Sequence, residues 1–120
     1  MNMLGQQPKA KSTMGQLNSR FRSIDTGNGT RGIAWWCPGC EEMHYVPLTG
    51  PKAWNFNRDI SAPTLSPSVK VVCNWSIEDG GPQVCHFFMK GGWLEFLNDC
   101  THKLKNRKVP VPPLPKAMTY

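Results

Sequence analysis

Cys37-Pro38-Gly39-Cys40 is the stretch of this 120-residue chain with the clearest chemistry. Two cysteines around a Pro-Gly pair form a tight knuckle that points both sulfurs at one tetrahedral ion, the geometry of structural zinc. The competing use of Cys-x-x-Cys, a thioredoxin-type redox pair, needs a strand–helix unit after it, and the sequence has none. Two thiolates leave a tetrahedral site half filled. The second pair must come from Cys73, Cys85, His86, Cys100, His102 or His44. Cys37, Cys40 and Cys100 form the expected nucleus, Cys85 or His86 the fourth ligand, and His102 is next in line. Cys73 reads better as a buried free thiol. Four thiolates, or three and an imidazole, both close a structural site, so Zn2+ is the expected cofactor.

The cysteine count agrees with a metal. Five is an odd number, and a wholly disulfide framework needs an even one. No run of eighteen apolar residues and no apolar h-region near the N-terminus is present, so a membrane span and a signal peptide are not expected. The reading is therefore a chain that meets a reducing cytosol, where clustered Cys and His serve metals more often than disulfides.

These ligands must be positioned by short elements. Hydrophobic residues make up 39% of the chain, and 11 Gly and 11 Pro interrupt it, a composition that favours short strands and ordered loops over long helices. Ile33-Ala34-Trp35-Trp36 reads as a strand entering the knuckle and His44-Tyr45-Val46 as the strand leaving it. Trp54-Asn55-Phe56-Asn57 alternates as a half-buried strand does, and Val69-Lys70-Val71-Val72-Cys73 is a further strand. Between them Pro63 and Pro67 exclude helix and central strand. The clearest local signal is a hairpin, residues 83–89 and 93–97 about Gly91-Gly92. With both glycines in the turn, Met89 faces Leu94 and Phe87 faces Phe96. Cys85, Phe87, Met89, Leu94, Phe96 and Cys100 then share one face, and His86, Phe88, Trp93, Glu95 and Leu97 the other. The aromatic residues Trp35, Trp36, Trp54 and Trp93 read as core.

The expected fold is thus a small β-rich, zinc-ribbon-like single domain of short antiparallel strands. Residues 1–31 read as an extended basic arm with at most a weak helical turn, residues 32–108 as the metal-stapled body, and residues 109–120 as a Pro-rich extended tail in polyproline II. A thin core of this kind gains most from a staple. Structural zinc contributes on the order of 10 kcal/mol, comparable with the net stability of a whole domain.

Net charge is +6, and it is unevenly spread. Residues 1–31 carry five bases and one acid, residues 103–120 five bases and no acid, and the middle four bases and seven acids. Basic arms on a mildly acidic body suit polyanions, either nucleic acid or an acidic protein surface.

Trp36-Cys37-Pro38-Gly39-Cys40 with His44, Trp54-Asn55-Phe56-Asn57, Pro63-Thr64-Leu65-Ser66-Pro67-Ser68, Cys85-His86-Phe87-Phe88 and Phe96-Leu97-Asn98-Asp99-Cys100-Thr101-His102 together carry a resemblance. Over about residues 33–113 the chain resembles a family of short uncharacterised proteins of tailed bacteriophages and prophages, sometimes mislabelled ammonia monooxygenase. Where that family usually has Gly after the Trp-Asn element, this chain has Arg58. The resemblance implies metal binding and a phage origin, and no agreed activity.

An enzyme would draw on His86, Asp99, His102 and Asp59 beside a metal. No His-Glu-x-x-His, deaminase or nucleophile motif is present, so neither a catalytic residue nor a small-molecule substrate is expected. The arms favour a non-enzymatic part of a larger assembly: a virion or capsid decoration protein with phage capsid protein as partner, found in the host cytoplasm during infection and in the virion. The alternative is a zinc module that binds nucleic acid or a host protein, in regulation or anti-defence; a metal-dependent hydrolase stands third.

Overall fold

Antiparallel pairing divides the chain between two sheets. The computed structural model describes residues 14–25, 27–74, 78 and 80–116. The first sheet runs in the order β1 (Met14–Gln16), β2 (Phe21–Asp25), β3 (Arg31–Cys37), β4 (Glu42–Pro47). The second runs in the order β5 (Asn55–Phe56), β6 (Leu65–Asn74), β7 (Pro82–Lys90), β8 (Trp93–Phe96), β9 (Lys108–Pro110). Among the described residues there is no helix, and so none long and apolar enough to cross a membrane.

The inner faces of the two sheets make one core. Phe21, Ile33, Trp35 and Val46 come from the first, and Leu65, Val69, Phe87, Met89, Leu94 and Phe96 from the second. Trp35 meets Phe87 edge-on at a centroid distance of 6.0 Å, and His44 stacks on Phe87 at 6.0 Å. Burying a side chain such as Phe87 contributes roughly 1.5–3 kcal/mol.

The β7–β8 hairpin has the register that its glycines impose. Gly91 and Gly92 both hold positive φ, 57° and 83°, as a two-residue type I′ turn requires. Phe87 therefore pairs with Phe96 and Met89 with Leu94, and all four are buried. Trp93, on the other face, is 43% exposed beneath the Lys108 ammonium, so it is not part of the core expected from its type.

Both ends differ from the expected arms. Residues 14–25 are not extended away from the body but form β1 and β2, with Phe21 paired to Trp35 and fully buried. One aromatic residue, together with the backbone bonds that β3 offers, suffices to dock a segment whose composition is otherwise polar. The tail is extended as its prolines require, yet it lies on the body. Val109 pairs with Leu94, Val111 N–H bonds the Gly92 carbonyl at 2.9 Å, and Leu114 N–H bonds the Ser19 carbonyl at 2.8 Å. Val111 and Leu114 are buried. Residues 1–13 and 117–120, the outer parts of both expected arms, lie outside the described residues.

Arg58 has φ +66°, the left-handed region that glycine enters without cost.

Candidate functional site

β3 ends in Cys37, and the chain turns sharply through Pro38 and Gly39. The Glu41 N–H closes the turn on the Cys37 carbonyl at 2.8 Å, and the Cys40 N–H points at Cys37 Sγ at 3.4 Å. β4 returns with His44 directly opposite Trp35, which lies two residues before Cys37 on the same strand face, so the imidazole comes back on the side of the sulfurs. Cys85 reaches in from β7, with its Sγ 3.8 Å from Cys37 Sγ. The ligand atoms of Cys37, Cys40, His44 and Cys85 all lie within 4.8 Å of one another, close enough to bind one metal ion.

The group passes two tests of fit. Thiolates at about 2.3 Å from a tetrahedral zinc are separated by about 3.8 Å, which is the Cys37–Cys85 spacing. His44 Nε2 is buried without a hydrogen-bond partner, a costly state for a ring nitrogen with nothing to bind. The thiols already influence one another strongly. Hydrogen bonds from Cys40 and Cys85 hold the Cys37 thiol well below its ordinary range. The reciprocal bond to Cys37 pushes Cys40 up to about 12 and Cys85 far up. A divalent cation would remove this competition by favouring all three thiolates.

Cys100, expected in the nucleus with Cys37 and Cys40, and His102, expected next in line, lie beside this group and not in it. Cys85, Cys100 and His102 form a second cluster that shares Cys85, with His102 Nε2 3.4 Å from Cys85 Sγ. Burial pushes His102 below its usual range. Its ring packs so closely on the knuckle that a Cβ at Gly39 would fall within it. Cys100 Sγ accepts the His86 N–H at 3.3 Å and donates to the His86 carbonyl at 3.2 Å, which ties the loop after β8 to β7. Cys73 is half-buried and lines a pocket with Cys40, Cys85 and His102.

His86, expected as a possible ligand, is turned away from the thiols. Successive strand residues face opposite sides, so Cys85 points inward and His86 outward. On the outer face His86 Nε2 lies 3.1 Å from Ser68 Oγ, and His86 Nδ1 lies 2.9 Å from Asp99 Oδ2. The bond from His86 holds the Asp99 carboxyl below the usual carboxylate range, helped by Lys70, whose Nζ is 3.6 Å from Asp99 Oδ2. Ser68 is presented by an irregular stretch of β6, where the register to β7 slips between Leu65 and Val69. Bulges of this kind re-aim side chains and concentrate near active sites. The Trp54 indole N–H steadies the Ser68 carbonyl at 3.3 Å. A hydroxyl, an imidazole and a carboxylate in this order can move a proton from Oγ to the ring while the carboxylate fixes the ring's tautomer.

The sequence marks His86 and Asp99 as candidates beside a metal, and it presents Ser68 within the Pro63–Ser68 motif without a role. The hairpin register already separates His86 from the thiol face. No local signal marks Ser68, because its alignment with His86 depends on the slip in β6.

A family model described as bacterial ubiquitination-like system serine protease (BubE) matches residues 9–97. Ser68 and His86 lie within the match, and Asp99 lies just beyond it. No curated protein and no solved structure matches the chain. The family description overturns the expectation of a non-enzymatic capsid-decoration protein: it names proteases and a bacterial system, not a virion. Missing linear motifs do not exclude an enzyme, because a triad is defined by geometry and not by spacing in the chain.

Proposed function

The chain belongs to the family of serine proteases of a bacterial ubiquitination-like system (BubE), and on that premise we propose that it hydrolyses peptide bonds with Ser68 as nucleophile, His86 as general base and Asp99 as the residue that orients the base. The observation that carries this reading is the continuous chain of contacts, 3.1 Å from Ser68 Oγ to His86 Nε2 and 2.9 Å from His86 Nδ1 to Asp99. His86 takes the hydroxyl proton as Ser68 Oγ attacks the scissile carbonyl, then returns it to the leaving amine. Asp99 keeps Nδ1 protonated, so Nε2 is free to accept, and it stabilises the imidazolium that forms. Water then hydrolyses the acyl-enzyme by the same proton relay. The substrates in this reading are proteins handled by a ubiquitination-like system.

The cysteine cluster serves this chemistry from behind. Cys37, Cys40, His44 and Cys85 would hold one Zn2+ as three thiolates and an imidazole, a zinc-ribbon-like closed site with no position for substrate. Bound there, the metal supplies folding free energy. Its ligand Cys85 adjoins His86, so the site that fixes the strand also fixes the base.

The test is active-site labelling. A fluorophosphonate probe should attach to the wild-type protein at Ser68 and fail on Ser68→Ala. Labelling elsewhere, or equal labelling of both proteins, would refute the assignment.

A further inference from the structure

We propose that the substrate polypeptide docks as an added strand along the open edge of β6, over residues 69–74, with its scissile bond beside Ser68. This inference rests on the serine-hydrolase reading and adds to it how the substrate is held.

β6 is a ten-residue strand whose outer edge is covered at one end only. β5 pairs with it at Ser66 and Leu65 alone, and the Trp54 indole occupies the Ser68 carbonyl. Beyond that point, among the described residues, no strand pairs with the edge; β7 lies on the other side. An antiparallel strand directs its N–H and C=O groups alternately to its two neighbours. Residues 69–74 therefore present a row of outward donors and acceptors. The chemical complement of such a row is an extended backbone, which is how sheet edges capture peptides.

The edge also lacks the usual defences. Proline and repeated charge blunt edges that must stay unpaired. Residues 69–74 contain no Pro, and their one charge, Lys70, is paired with Asp99. Val72 on the outer face is 48% exposed, one of few large apolar side chains so open among the described residues. Location gives the edge its meaning. Lys70 is the cross-strand partner of His86, and Ser68 stands at the start of the open stretch. A strand added at the ordinary spacing of about 4.8 Å would run past the hydroxyl in the extended form that a nucleophile can reach.

Two probes separate docking from chemistry: p-nitrophenyl acetate reports the triad alone, and a pool of random fluorescence-quenched octapeptides reports both. Adjacent residues aim their N–H groups at opposite edges, so of Val71→Pro and Val72→Pro one removes an outward donor and the other a bond to β7. The outward variant should keep its melting temperature and its ester turnover within about twofold, and lose at least about tenfold in peptide kcat/KM, mostly through KM. Peptide cleavage at the wild-type rate in that variant would overturn the proposal. If neither variant folds, amide hydrogen exchange on Ser68→Ala decides: the octapeptide pool should protect residues 69–74, and unchanged exchange there overturns the proposal. A dimer without peptide that the outward proline dissolves would overturn it too, by assigning the edge to a second copy of the chain. Absence of Ser68-dependent ester turnover in the wild type would instead remove the hydrolase reading. The exchange measurement needs no turnover and would still stand.

Discussion

Cys85 and His86 are neighbours in the chain and belong to different sites. One side of β7 faces a cluster of sulfur and imidazole, where Cys37 and Cys85 are buried. The other faces a relay open to solvent, with the His86 side chain 23% and the Asp99 side chain 40% exposed. Asp99 and Cys100 repeat the division, the carboxylate on the outer relay and the thiol bonded to the β7 backbone beneath it. The buried cluster is suited to holding and the open relay to reacting, because thiolate sites gain from exclusion of water while a nucleophile must meet its substrate. The same two dipeptides couple them, so the position of His86 is tied to the strand that carries Cys85.

This contrast can be broken from either side. The largest effect should follow Cys37→Ser. Loss of a thiolate from a structural zinc site costs on the order of 10 kcal/mol at most, so the variant should carry no metal by elemental analysis and lose cooperative thermal unfolding, and a strong chelator should do the same to the wild type. A metal-free protein that stays folded and active would refute the supporting role. Next, Ser68→Ala should lower kcat by about 10⁴-fold or more while metal content and melting temperature stay at wild-type values; a matched fall in melting temperature would instead make Ser68 structural. Asp99→Asn should lower kcat by roughly 10²–10⁴-fold by loosening the tautomer of His86, with KM nearly unchanged, and kinetics at saturating substrate would read it. The smallest effect falls in the turn after β5. Arg58→Gly should raise stability by about 1 kcal/mol, since its φ of +66° costs a side-chain-bearing residue roughly that much, and activity should not move.

Parts of both regions were legible from local rules. The knuckle was legible because Pro38-Gly39 leaves two cysteines few other conformations. The β7–β8 hairpin followed from Gly91-Gly92, and with it the division of Cys85 from His86. Nothing local distinguishes His44 from the other candidate ligands, because its place depends on the pairing of β4 with β3, which puts it opposite Trp35. β2 was hidden by its polar composition; only Phe21 announces it.

The sequence by itself determined that this is a β-rich chain with a cysteine knuckle, a two-glycine hairpin and a face carrying His86 apart from the thiols. Those features depend on residues a few positions apart, where backbone sterics and strand alternation leave little choice. Only the tertiary structure decided which residues meet: His44 with the sulfurs, Ser68 with His86, and His86 with Asp99. The Ser68–His86 and His86–Asp99 contacts join residues 18 and 13 positions apart, the first across a register shifted by the irregularity in β6. A register is set by the packing of whole faces against a shared core, so no local pattern at Ser68 could carry it.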